Sequence, residues 1–130
     1  MTTTPIIYPD VELAVTAYLR AALATYGQSV RVSTNYKGDA REVVVRRDGG
    51  PQLDRIRETA RLGVNVYATS SNDQAVSDLA RVVSAHLRAM ADGSPVTRVE
   101  QTSGPSPIPE PGNLTRRYLT FEVDVRGVEL

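Results

Sequence analysis

The chain has no cysteine and no tryptophan, and only one phenylalanine, one histidine and one lysine among its 130 residues. Without thiols there is no disulfide, no thiolate nucleophile and no cysteine metal site, and the redox compartment stays open. His86, the single histidine, lies beside Val83 and Leu87 in a helical pattern. With no nearby cysteine or paired carboxylate it reads as a packing or boundary residue rather than a metal ligand. No apolar run approaches the roughly 18 residues of a membrane span, and no basic-then-apolar leader opens the chain, so a soluble protein with no membrane partner is expected. Neither charge dominates: 15 basic residues meet 15 acidic ones. No global field therefore draws the chain to nucleic acid or an anionic membrane.

What is present points to one α+β domain spanning residues 1–130, long enough for a real core and too short for two. Its organising stretch is residues 61–90. Leu62, Val64, Val66 and Ala68 share one parity, with Gly63, Asn65, Tyr67 and Thr69 on the other, which is the period of a strand with one apolar face. Side-chain oxygens follow over residues 70–74, and Ser71 with Gln74 has the spacing of a capping box. Val76, Leu79, Val82, Val83, Leu87 and Met90 then recur three or four apart, opposite Ser77, Asp78, Arg81, Ser84 and Arg88. A helix lying on a sheet results, with Gly93 and Pro95 marking its end.

Ahead of this unit, residues 1–9 form an extended and partly mobile lead. Asp10 caps a first helix whose stripe includes Val11, Ala14, Val15, Tyr18, Ala22 and Tyr26, widened by Leu13, Leu19 and Leu23 and closed by Gly27. So broad a stripe has area for both the sheet and a neighbouring subunit. Val30, Val32, Thr34 and Tyr36 alternate, turn residues follow at 37–39, and Val43, Val44 and Val45 come next, which predicts a β-hairpin. Residues 46–52 (RRDGGPQ) predict a loop at the sheet edge. Ile56 and Ala60 keep the parity of Val64, so the following strand starts early, as a long strand or basic arm.

After the second helix, residues 96–100 predict a short strand. Residues 103–112 carry four prolines and predict a stiff extended loop at the rim, since proline has no place in a helix or central strand. Leu119, Phe121, Val123 and Val125 alternate with polar residues in a half-buried strand. The predicted order is α-β-β-β-α-β-β, a mainly antiparallel sheet of four to five strands carrying two helices.

No catalytic, cofactor or metal site emerges. Glu122 and Asp124 project from one strand face about 7 Å apart, a spacing that could hold a divalent cation and so a metal-dependent nuclease. A solvated strand face is the stronger reading, because such alternation is what a half-exposed strand normally shows, and such a nuclease would need a third carboxylate or a nearby lysine. Gly49 and Gly50 precede no Gly-Lys-Ser/Thr, so they are not a phosphate loop. Arg46, Arg47, Arg55 and Arg57 are the one basic concentration, suited to nucleic acid or to the acidic rim of a partner.

The element order, and the wording LGVNVYATSSNDQAVSDLARVVSAHL with its flanks, resemble the tail terminator proteins of long-tailed (siphovirus-type) phages, the lambda minor tail protein U family. The likeness covers residues 10–126 in organisation and is specific in wording over residues 61–87 and 118–126. It implies a homo-hexameric ring at the head-tail junction of the virion, assembled in the host cytoplasm. The implied partners are other copies of the chain, the major tail tube protein and a neck or head-completion protein. Genomic DNA would pass through the lumen without sequence-specific binding. Under that resemblance the candidate contacts are the first-helix stripe with Tyr18 and Tyr26, the arginines Arg46, Arg47, Arg55 and Arg57, and the proline segment with Pro107 and Pro109. A neck or head-completion ring protein and a non-viral binding module are the alternatives.

Overall fold

Asp10 starts the first helix as its residue type predicts: its carboxylate accepts a hydrogen bond from the Leu13 amide at 3.0 Å. The helix, α1, runs over Val11–Leu23 and buries Val11, Val15, Leu19 and Leu23. The chain turns at Gly27, whose φ of 88° suits the left-handed region. These details come from a computed structural model that describes residues 3–69, 72–92 and 95–130.

The strands are β1 (Ile6–Ile7), β2 (Arg31–Ser33), β3 (Arg41–Arg47), β4 (Arg57–Thr69), β5 (Val96–Pro107), β6 (Leu114–Arg126) and β7 (Val128–Glu129), with the second helix, α2 (Asp73–Arg88), between β4 and β5. Five of them form one sheet in the order β2-β3-β4-β6-β5. The predicted order is therefore recovered, with β1 and β7 added as an antiparallel ribbon that joins the two ends of the chain. Within the lead, Ile6 and Ile7 are extended and pair with the C-terminal residues: Ile7 lies opposite Val128, and Leu130 N donates to Pro5 O at 3.0 Å.

Both helices cover one face of the sheet. Their apolar stripes meet Val43 and Val45 of β3, Ala60 to Ala68 at alternate positions of β4, and Leu119, Phe121, Val123 and Val125 of β6 in one core. The long early-starting β4 is confirmed, because it pairs with β6 along its entire length. The helix-facing residues of both strands alternate with polar ones, which is why the sequence pattern located them.

Four expectations need correction. Residues 30–45 do not make a hairpin: β2 and β3 are parallel, with Val32 opposite Val43. Residues 34–40 carry the chain back across the helix-free face, where the Tyr36 ring meets that of Tyr67 at 4.5 Å. Glu42, fully buried on that face, accepts hydrogen bonds from the amides of Lys37 at 2.9 Å and of Asp39. A parallel pair ordinarily needs a dozen or more connecting residues, and the Glu42 carboxylate holds this shorter crossover in place.

Second, Asn72 caps α2, accepting from Gln74 N at 3.0 Å. The Ser71 of the expected capping box lies outside the described residues, as does Gly93, and α2 ends at Arg88. Third, the proline-rich stretch is a loop only from residue 108: β5 extends to Pro107 on the sheet edge, with irregular register between Ser103 and Ser106. An edge strand needs hydrogen bonds on one side only, so it tolerates proline at its irregularities. Fourth, Arg46 and Arg47 belong to β3, and residues 48–52 lie at the end of two interior strands rather than along an edge, continuing the β3–β4 pairing through Asp48 N to Arg61 O at 2.7 Å and Arg61 N to Gly49 O at 2.8 Å. Gly50 there has a φ of 127°, and a Cβ on it would lie 1.9 Å from Thr59 O, so only glycine fits.

Candidate interaction surfaces

The helix-free face of the sheet is polar, and its charges are arranged in matched sets. Arg98 on β5 is central to one of them. Its guanidinium donates to Asp124 at 2.8 Å, to Glu122 at 3.3 Å and to Glu100. Thr59 Oγ1 donates to the other Asp124 oxygen at 2.6 Å. The pair suggested as a cation site is thus occupied by an arginine, and no His, Cys, Asp or Glu triad suited to a metal occurs among the described residues. Burial raises the Asp124 pKa, but the hydrogen bonds from Arg98 and Thr59, with the charges of Arg98 and Arg57, outweigh it and hold the carboxyl below its ordinary value.

A pH dependence follows. Because the folded pKa of Asp124 lies below the unfolded value near 4, its ionised form stabilises the fold at neutral pH, and that contribution is lost as pH falls through the folded pKa. Asp124→Asn is therefore expected to be less stable than the parent at pH 7, with the gap closing below about pH 4. Urea unfolding of both proteins at pH 7, 5 and 3 measures it; a gap that stays constant across that range would remove Arg98–Asp124 as a clamp between β5 and β6.

A second set lies farther along the same face. Arg116 donates to Asn65 Oδ1 at 2.7 Å and to Glu110 at 3.0 Å, with its guanidinium carbon 5.6 Å from the Tyr67 ring centre. Burial raises the Tyr67 pKa against the opposing pull of Arg116. Through Glu110, Arg116 also fixes the proline segment beyond β5, aided by Ile108 N donating to Arg116 O at 3.2 Å. Pro107 and Pro109 are exposed on that fixed arm. On the helix side, Arg117 is buried and donates to Asp73 at 2.7 Å in the first turn of α2.

The other residues singled out from sequence are spread apart. Tyr18 is half-buried, and its hydroxyl donates to His86 O at 2.9 Å, so it ties α1 to α2. Tyr26 lies past the end of α1 and packs partly against the core. The four arginines do not form a free basic patch. Arg47 is paired with Glu58 at 3.0 Å and Arg57 with Asp54 at 2.7 Å, Arg55 donates to Thr4 O at 2.7 Å, and Arg46 approaches Glu12 only to 4.0 Å. Sequence reasoning missed Arg98 and the terminal ribbon, whose contacts join residues far apart in the chain, and Glu42, whose contacts to residues 37 and 39 are local but follow no periodicity. The ribbon brings Ile7, Val128 and Leu130 to the surface, at 50%, 63% and 80% exposure.

Compared with solved structures, this chain superposes on a chain of the "Virion of native gene transfer agent (GTA) particle" with a TM-score of 0.70, covering 90% of this chain and 95% of that one at 17% identity. The two share a fold. No protein-family profile and no curated protein matches the chain. Among the described residues no helix is long and apolar enough to cross a membrane.

Proposed function

We propose that this chain is a structural protein of a phage-type virion, a tail terminator whose copies close into a ring on the last ring of the tail tube. The observation that carries the reading is the end-to-end fold match with a virion chain, which spans 90% of this protein. The resemblance of the β4–α2 unit to tail terminators supports the finer assignment. In this reading the work is steric. Occupying the growing end of the tube removes the surface on which the next tube subunit would add, and the opposite face of the ring receives the neck or head-completion protein.

The balance of charge suits a passage for DNA. A bore lined with unpaired cations would hold phosphates strongly, whereas Arg98 and Arg116, two of the arginines on the helix-free face, are bound to carboxylates of the same chain. Of the residues named from sequence, we assign subunit or partner contacts first to Arg46, Pro107 and Pro109, which are exposed. Tyr18 and Tyr26 serve such contacts only through the edges they leave open.

Tails assembled without this protein should exceed normal length, and purified protein added during tube growth should restore the normal limit; electron microscopy of tail lengths measures both. Tails of unchanged length without it would overturn the terminator assignment. The matched chain comes from a whole virion particle, which favours a second reading nearly as well, a neck ring between head and tail. Cross-linking to portal-side proteins rather than tube protein would select it.

A further inference from the structure

Three side chains stand directly opposite one another across the interior strands of the helix-free face. Glu42 of β3 is paired in register with Tyr67 of β4, and Tyr67 with Arg116 of β6. Neighbouring strands lie about 4.8 Å apart, so the three form one row across the sheet. Each end of the row holds a loop. The Glu42 carboxylate accepts the amides of Lys37, at 2.9 Å, and of Asp39, both in the crossover that joins β2 to β3. Arg116 donates to Glu110 at 3.0 Å, and its carbonyl accepts Ile108 N at 3.2 Å, both in the proline arm that joins β5 to β6.

The centre of the row serves both loops. The Tyr36 ring of the crossover lies 4.5 Å from that of Tyr67, tilted by 42°, a favourable aromatic pair. The Arg116 guanidinium carbon is 5.6 Å from the centre of the same Tyr67 ring, a cation–π separation. Asn65 Oδ1 holds it there, accepting from Arg116 at 2.7 Å. Tyr67 therefore touches a ring of one loop and the guanidinium that anchors the other. Its phenol registers the whole group: burial raises the pKa, Arg116 opposes that, and Glu110, Tyr36 and Glu42 add to it. Among the described residues no hydrogen bond or ion pair joins residues 34–40 directly to residues 108–113, so the row is the link between them.

We propose that the row Glu42–Tyr67–Arg116 is a latch that makes the crossover and the proline arm one cooperative unit, so that freeing either loop from the sheet loosens the other. Residues 35–40, 109 and 111–113 are exposed, and segments with so little buried surface open locally at a small fraction of the cost of unfolding. Tyr67 and Arg116 are positioned by both loops together. Releasing one loop removes a partner that ordered these shared side chains, and the second loop is then held less firmly. Pro107 and Pro109 are exposed on the arm, so a contact made there is transmitted to the crossover beyond β4. The device is built from contacts within one subunit and stands apart from the tail reading.

Native-state hydrogen exchange, read residue by residue by NMR, tests the latch in Glu110→Gln. The Ile108 amide should exchange at least about fivefold faster, and so should the amides of Lys37 and Asp39, which Glu110 does not touch; fivefold is the lower end of a usual coupling between sites. The Val64 amide, at the centre of β4, should keep the parent rate. Coupling is reciprocal, so Tyr36→Leu, a change at a ring 44% exposed, should speed Ile108 to a similar extent. With Tyr67→Leu also present, Glu110→Gln should act on Ile108 alone. Parent rates at Lys37 and Asp39 in Glu110→Gln, or at Ile108 in Tyr36→Leu, would overturn the latch. So would an equal acceleration at Val64, the mark of a fold weakened throughout, or an effect on Lys37 and Asp39 that persists without the Tyr67 ring.

Discussion

Replacing Phe121 with alanine lowers the stability of the fold by about 3–5 kcal/mol, the usual cost of emptying a buried aromatic site. Phe121 is the only phenylalanine and the largest fully buried side chain, 1% exposed on β6 between Leu62 of β4 and Gln101 of β5. The core around it is built from valine, leucine and alanine, with Met90 as its one flexible filler. β-Branched side chains on a hydrogen-bonded sheet have few alternative rotamers with which to close a void. The loss is a large share of the ~5–15 kcal/mol that stabilises an ordinary domain. Phe121→Leu, which keeps much of the volume, should cost less than about 1.5 kcal/mol. Urea denaturation of the three proteins decides the matter, and an alanine variant within about 1 kcal/mol of the parent would contradict a core of two helices on this face.

The second large effect is expected at Glu42. Its replacement by alanine should cost about 3 kcal/mol, because a buried carboxylate that accepts two backbone amides is removed and both amides lose their partner. The damage should be local before it is global. Residues 34–40 cross the sheet because Glu42 holds Lys37 and Asp39 from below and Tyr67 packs under Tyr36. Hydrogen exchange should therefore show lost protection at the Lys37 and Asp39 amides, with β2 loosening next. Glu42→Gln keeps the shape but turns one amide donor toward another, so it should fall between alanine and the parent. Unchanged exchange at residues 37 and 39 in Glu42→Ala would show that the crossover is held by something else.

These two sites mark where the sequence was informative and where it was not. Phe121 belongs to an alternation that fixes which face of β6 is apolar, and the same periodicity located β4, α1 and α2. Glu42 belongs to no pattern. Between two valine-rich strands the natural expectation is a hairpin, and the parallel pairing arises from a carboxylate binding amides three and five residues upstream, a contact invisible to periodicity. Proline misled for a related reason: the rule that excludes it from central strands is sound, but the sequence does not say which strand is the edge. At the interaction surfaces, residue type identified arginine clusters, whereas the deciding facts are their partners. Arg47 and Arg57 are neutralised within the subunit, and Arg98, which joins three carboxylates, stands in a stretch with no local concentration of charge.

The ribbon of β1 with β7 has a consequence for how the chain can be rewired. Because Pro5 and Leu130 are hydrogen-bonded neighbours, a short linker from Leu130 to Pro5 would close the backbone, and the polypeptide could be reopened in an exposed connection such as that around Gly112. A circular permutant made this way would leave every strand and helix in place. It would move a fluorescent tag from the clasped ends to the margin near the proline arm, giving a second position from which to view the particle.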